Sequence, residues 1–239
     1  MEPAREITPP ALSDGVPYSV DRNDHPLRHP DAVVLQVDAT VSGIDGLAWL
    51  TSRRDAETAH RLAALQRTAA AEGWSWSELT RARLKHLRPR RAEINELGSA
   101  YLSAMAPGVG ETVSAMRRAG ISISLASDVA AEALFGVATA LGVSPDELHA
   151  PRLRFDAIGA YVGCDLSAAS AENGTDDAAH RRLTTAPRTL FVGARRSEIF
   201  APRGTDLFVA FSGVIAREGR SDAKATVANF HDLAALVLR

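Results

Sequence analysis

Residues 32–41 read Ala32-Val33-Val34-Leu35-Gln36-Val37-Asp38-Ala39-Thr40-Val41. The first six form a continuous apolar run broken only by Gln36, the pattern of a strand buried on both faces of a parallel sheet. Downstream, Ile44 to about Ser103 repeats apolar residues at helical spacing, with Gly73 and Pro89 as breaks. A helical block of that length exceeds an ordinary crossover and reads as an insertion after the first strand. From Pro107 the pattern alternates. A helix over 109–118 leads to a strand over 121–126, and a helix over 129–141 stops at Gly142. A β-hairpin follows, with Arg152-Leu153-Arg154-Phe155 as one arm and Ala160-Tyr161-Val162 in the other. Strands over 189–193 and 206–211 come next, and a helix from His231 to Leu238 closes the chain. Alternation of this kind predicts a parallel sheet covered by helices. Ligands of such sheets bind beyond the carboxyl ends of the strands, which groups Asp38, Ser127 and Gly193-Ala194-Arg195 around one crevice.

Composition narrows the function. The 239 residues carry 27 basic and 29 acidic side chains, 46% hydrophobic and 23% charged residues, and a single cysteine, Cys164. The balance is that of an ordinary globular protein. Near-neutral charge lacks the basic footprint of a nucleic-acid binder. One cysteine excludes a disulfide scaffold and a cysteine-based zinc site and suits a reducing cytoplasm. No apolar run approaches the ~18 residues of a membrane span, and the N-terminus has no signal pattern, so a soluble cytoplasmic protein is expected. Residues 1–30 hold half of the 12 prolines and read as a proline-rich tail or loosely docked arm. His25 and His29 stand four apart there, but Pro26 and Pro30 break the helix a metal pair would need.

Other motifs carry less. Gly108-Val109-Gly110 lacks the third glycine and the preceding strand of a dinucleotide fingerprint. Ala126-Ser127-Asp128 lacks the glycines of a hydrolase nucleophile elbow. The histidines show no metal-ligand spacing, and Trp49, Trp74 and Trp76 in the helical insertion read as packing residues.

Taken in order, Val37-Asp38-Ala39-Thr40-Val41, Gly43-Ile44-Asp45-Gly46-Leu47-Ala48, Leu79-Thr80-Arg81-Ala82-Arg83-Leu84, Pro107-Gly108-Val109, Leu125-Ala126-Ser127, Arg152-Leu153-Arg154-Phe155 and Asp206-Leu207-Phe208-Val209-Ala210-Phe211 resemble the phosphoserine phosphatase branch of the haloacid dehalogenase superfamily. The resemblance runs from about Ala32 to Arg239. It implies an α/β fold: a Rossmann-like core with a parallel sheet and helices on both faces, an all-helical cap inserted after the first strand, and a small β-hairpin. The implied division is 1–30 tail, 31–42 with 106–239 core, and 43–105 cap. It also implies a chemistry, in which an aspartate ending the first strand attacks phosphorus, a second aspartate two residues on is the general acid/base, and Mg²⁺ is bound by oxygen ligands nearby.

This chain departs from that pattern at several charged positions. Gln36 stands at the nucleophile's place, and an amide is a poor nucleophile. Asp38 and Thr40 are kept. Ser127 matches the phosphate-binding serine, but Asp128-Val129 replace the family's paired glycines. The lysine's place falls in residues 171–177, which contain neither Lys nor Arg, and Ala194 stands where a metal-binding aspartate is expected, with Glu198 the next acidic position. Arg83 matches the cap arginine that grips a substrate carboxylate. Arg195 and Arg196 follow Ala194, and a guanidinium fork there suits a phosphate or carboxylate in place of the metal.

These residues predict a catalytically degenerate relative that binds a small anionic, amino-acid- or phosphate-like ligand between cap and core. Asp38 is its candidate catalytic residue, and Gln36, Thr40, Arg83, Ser127, Asp128, Arg195 and Arg196 are its candidate ligand-binding residues. No metal site and no cofactor are expected, with Mg²⁺ binding weak or lost. A protein partner or homodimer is compatible with this reading; nucleic acid and membrane are not. Two alternatives stay open: an enzyme using Asp38 as general acid/base in non-phosphatase chemistry, and weak residual phosphomonoester hydrolysis. Structural roles also compete, with Asp38 as a turn cap, Ser127 as a loop hydroxyl and Arg83 on a solvated helix face.

Overall fold

A computed structural model of the chain describes residues 27–166, 188–194, 207–214 and 223–239. The strand at the centre of the sheet is β1, Ala32–Gln36, all five residues buried. It ends one residue earlier than the apolar run suggests, because Val37–Val41 fold into a single tight turn with Ala39 at φ 55°. A non-glycine residue there is uncommon and is held by its neighbours. Two backbone bonds do so: the Ala39 N–H donates to the Ile44 carbonyl at 2.9 Å, and the Ser42 N–H to that of Val37 at 3.0 Å.

The helical block resolves into α1 (Gly46–Thr51), α2 (Ala56–Glu72), α3 (Trp76–Leu87) and α4 (Arg91–Ser103). Asp45, Asp55 and Ser75 cap the first three, each accepting a backbone N–H of the first turn. Gly73 closes α2 and Arg88 closes α3, both left-handed, so the breaks at Gly73 and Pro89 fall where the sequence places them. The insertion leaves and rejoins the core through one paired neck. Ser42 bridges Met105, the Gly43 N–H donates to the Ala104 carbonyl, and the Ala106 N–H to that of Val41.

After the neck come α5 (Val109–Arg118), β2 (Ser122–Ala126), α6 (Ala131–Leu141), β3 (Leu148–His149), the hairpin β4 (Arg152–Phe155) and β5 (Tyr161–Asp165), then β6 (Thr189–Gly193), β7 (Leu207–Phe211), β8 (Ala225–Val227) and α7 (Phe230–Leu238). Strands β3 and β8 were not expected; at two and three residues they are too short to show an apolar run. Helix α6 starts at Ala131, two residues later than its apolar pattern begins.

The six-stranded sheet has the order β3-β2-β1-β6-β7-β8, every neighbour pair parallel, and β4 and β5 form a separate antiparallel ribbon. The expected α/β class, with a Rossmann-like parallel core and a small hairpin, is the one observed. Alternate residues of the strands feed two clusters. Val33, Leu35, Ile123, Leu125, Leu190 and Val192 join the larger one, while Ala32, Val34, Phe191 and Phe208 join the other. Leu27, inside the stretch read as a tail, is fully buried in the larger cluster. The Arg188 guanidinium donates to the His29 carbonyl at 2.8 Å and fastens this segment beside β6.

The sheet also locates the crevice. The chain runs from β1 to β2 and β3 on one side, then returns to β6 on the other. That reversal opens the loops at the carboxyl ends of β1, β2 and β6 toward one another.

Candidate functional site

Three loops meet at this reversal. Thr40, in the turn after β1, accepts the Ala194 N–H on Oγ1 at 2.8 Å, which ties the β1 turn to the end of β6. Gln36, the last residue of β1, is buried and pairs with Ala126, the last of β2. Ser127 follows immediately; its N–H donates to the His149 carbonyl at 3.0 Å, and its Oγ accepts the Val129 N–H at 3.2 Å. Gln36, Asp38, Thr40, Ser127 and Ala194 are therefore brought together.

Asp38 sits at the centre. It is 2% exposed, and its Oδ1 accepts the Gly46 N–H at 2.8 Å and the Tyr101 hydroxyl at 2.5 Å. Burial pushes its pKa above the ordinary aspartate value, and the neighbouring Asp128 adds to the shift. Tyr101, Ser127 and the Gly46 amide oppose it. Burial and the Asp38 carboxyl both push the Tyr101 hydroxyl well above the usual phenol range, so the phenol remains a donor.

The cap closes one edge. Trp76, the first residue of α3 and 5% exposed, donates its indole N–H to Asp128 Oδ1 at 3.1 Å, and its ring packs on Leu166. Arg83, further along α3, donates to Gln66 and lines an open cavity of about 480 Å³ between α1, α2 and α3. Asp45, Thr51 and Ser52 share that cavity, with Leu47 and Leu62 as apolar wall. The cavity's lining lies wholly within the helical insertion and includes none of Gln36, Asp38, Thr40, Ser127 and Asp128, so the cavity that Arg83 lines is separate from the crevice. Arg195, Arg196, Glu198 and residues 171–177 lie outside the described residues, as does His25.

The chain is similar to known proteins in sequence and in fold. The human phosphoserine phosphatase is 26% identical over 210 residues, spanning 85% of this chain and 91% of that protein. A chloroplastic phosphoserine phosphatase of Arabidopsis thaliana is 29% identical over 201 residues, 80% of this chain and 66% of its own length. A phosphoserine phosphohydrolase-like protein from Francisella tularensis superposes with a TM-score of 0.69 at 16% identity, covering 87% of this chain and all of that one. The chain resembles phosphoserine phosphatases in sequence and shares the fold of a phosphoserine phosphohydrolase-like protein. No family profile matches it.

The resemblance to the haloacid dehalogenase superfamily implies Mg²⁺, and the residues present can be set against the ion's needs. Mg²⁺ takes oxygen donors in near-octahedral array, usually with carboxylates among them. Gln36 has only a neutral amide oxygen, Ala194 has no side-chain donor, and of the Asp38 carboxyl Oδ1 already accepts two hydrogen bonds, which leaves Oδ2 alone. Among the described residues no three His, Cys, Asp or Glu side chains come together as a metal would require. Among the described residues this donor set does not fit the ion. Among the described residues, too, no helix is long and apolar enough to cross a membrane.

Gly46, Tyr101 and Trp76 were not singled out from the sequence as site residues. Tyr101 falls on the buried stripe Ile94, Leu97, Tyr101 of α4 and reads as core. Its one visible signal is chemical: a buried phenol on an apolar stripe requires a hydrogen-bond partner.

Proposed function

We propose that this haloacid dehalogenase-fold chain binds a small anionic ligand, amino-acid- or phosphate-like, between cap and core, and does not use an aspartyl-phosphate intermediate. The observation that carries the reading is Gln36: the residue closing the central strand, buried in the crevice, is an amide with neither the charge nor the nucleophilicity of a carboxylate. Ala194 at the end of β6 supports it, since it adds no metal donor. The named activity of the sequence relatives supports a ligand with both an acidic group and an amino-acid body. Thr40, Ser127 and Asp128 are its proposed contacts, together with Gln36, Arg195 and Arg196.

A second reading is favoured by Asp38 itself. A buried carboxyl group with a raised pKa, fixed by two hydrogen bonds, is equipped to act as a general acid/base without covalent catalysis.

One experiment separates these readings from phosphatase activity. The protein is incubated with phosphoserine and with an aryl phosphate, with and without Mg²⁺, beside Gln36→Asp. The binding reading expects no release of phosphate by the natural sequence and a rise in melting temperature with phosphoserine or inorganic phosphate. Metal-dependent turnover by the natural sequence overturns it. Turnover by Gln36→Asp alone shows that the crevice still accepts phosphate esters.

A further inference from the structure

Asp38 is clasped from both ends of the cap. Gly46, the first residue of α1, lies just after the chain leaves the core, and Tyr101, in the last turn of α4, lies just before it returns. Both donate to the same atom, Oδ1, at 2.8 and 2.5 Å. Oδ2 is buried and has no hydrogen-bond partner among the described residues. A carboxyl oxygen has two lone pairs, and two donors occupy both of those on Oδ1. When the group carries a proton, that proton is therefore on Oδ2.

Packing enforces the arrangement. Tyr101 is fully buried, so its hydroxyl cannot exchange Asp38 for bulk water. Position 46 tolerates no side chain: a Cβ there would overlap the Tyr101 hydroxyl and lie 2.9 Å from Asp38 Oδ1. The charged groups near Asp38 among the described residues are Asp128, after β2, and Asp45, which lies near the Tyr101 hydroxyl. Both are acidic, which favours a neutral Asp38 when an anion approaches.

We propose that Tyr101 is a positioning residue: it holds Asp38 through Oδ1, with the Ser127 hydroxyl beside the carboxyl, and leaves Oδ2 to donate a hydrogen bond to an oxyanion in the crevice. The cap thereby sets the orientation of a core residue, since both groups that grip Oδ1 belong to it. This rests on the anion-binding reading above, and it adds the residue that prepares Asp38 and the direction of the bond.

The test follows the Asp38 carboxyl directly, by carbon NMR of protein labelled at the aspartate carboxyl carbons. The resonance is assigned by its loss in Asp38→Asn. Tyr101→Phe is expected to move it without any ligand, because Oδ1 loses a donor. Inorganic phosphate is expected to move it in the natural protein, with about tenfold more phosphate needed in Tyr101→Phe. A purely structural Tyr101 would lower stability and leave the resonance in place, and that result overturns the proposal. Equal phosphate dependence in the two proteins overturns it as well. Phosphate that moves nothing in the natural protein overturns the anion-binding reading instead, while the ligand-free shift in Tyr101→Phe still decides the Tyr101–Oδ1 contact. Should Tyr101→Phe fail to fold, the Tyr101 ring-carbon resonance is compared between the natural protein and Asp38→Asn. A shift supports the contact, and its absence removes it.

Discussion

The indole N–H of Trp76 donates to Oδ1 of Asp128 at 3.1 Å, joining the first turn of a cap helix to the loop that follows β2. The bond crosses the cap–core boundary beside Ser127, and the Trp76 ring is buried against Leu166 in the same contact. One side chain therefore provides both an apolar seal and a directional tie to the core.

Trp76→Phe keeps most of the ring and deletes the donor, leaving a carboxyl oxygen with one bond fewer. Unfolding in urea should show a loss of about 1–2 kcal/mol, with an unchanged m-value if the fold is retained. Trp76→Ala removes the seal as well and should cost about 3–5 kcal/mol. No loss in Trp76→Phe would show that the hydrogen bond contributes nothing, and equal losses for the two variants would show that the ring contributes nothing beyond it.

Gly46→Ala places a methyl group against the Tyr101 hydroxyl. Overpacking of this kind costs about 1–3 kcal/mol, because either the phenol or the start of α1 must shift. Combining it with Tyr101→Phe removes the oxygen that the methyl meets. The double variant should then lose less stability than the two single losses added together, and strict additivity would place the strain elsewhere.

Asp38 predicts a pH dependence of stability. Burial raises its folded pKa above the ordinary value of 3.8, so between these two values the folded state holds more protons than the unfolded one. Stability from this group is full below the unfolded pKa and is lost as pH rises through the folded pKa. Melting temperature measured across that window should fall more steeply in the natural protein than in Asp38→Asn. Parallel curves would show that folding does not shift the Asp38 pKa.

Cap helix α4 and core helix α6 approach closely at Gly98, where an added Cβ would lie 3.1 Å from the Ala133 carbonyl oxygen. That oxygen belongs to backbone and cannot rotate away. Gly98→Ala should therefore lose to this contact some or all of the ~0.5–1 kcal/mol that Ala gains over Gly inside a helix, measured by denaturant unfolding. Gly110→Ala, inside α5 where an added Cβ meets nothing within 4 Å, is the control and should be the more stable of the two variants, by up to ~1 kcal/mol over the natural protein.

Much of the architecture was legible residue by residue. The run from Ala32 marks β1, Val109–Arg118 is a helix with the bounds its periodicity predicts, and Thr189–Gly193 is a strand with the bounds its apolar run predicts. These elements announce themselves because burial on a face imposes a period on the chain. Strands β3 and β8 did not, since two or three residues cannot display one. The site divides in the same way. Asp38, Ser127 and Ala194 could be grouped because a parallel sheet gathers the residues at its strand ends, while Gln36 and Thr40 were marked by the family resemblance.

The chain by itself determined the fold class, the insertion between β1 and β2, and the amide and methyl groups at Gln36 and Ala194. Those follow from local period and residue identity. Tertiary structure alone decided that Tyr101, 63 residues from Asp38, would share an oxygen with Gly46, and that Trp76 would reach Asp128 across 52 residues. Contacts at such separation depend on how α4 and α3 pack over the core. A helical period reports only that Tyr101 and Trp76 face inward, not which atom each one meets.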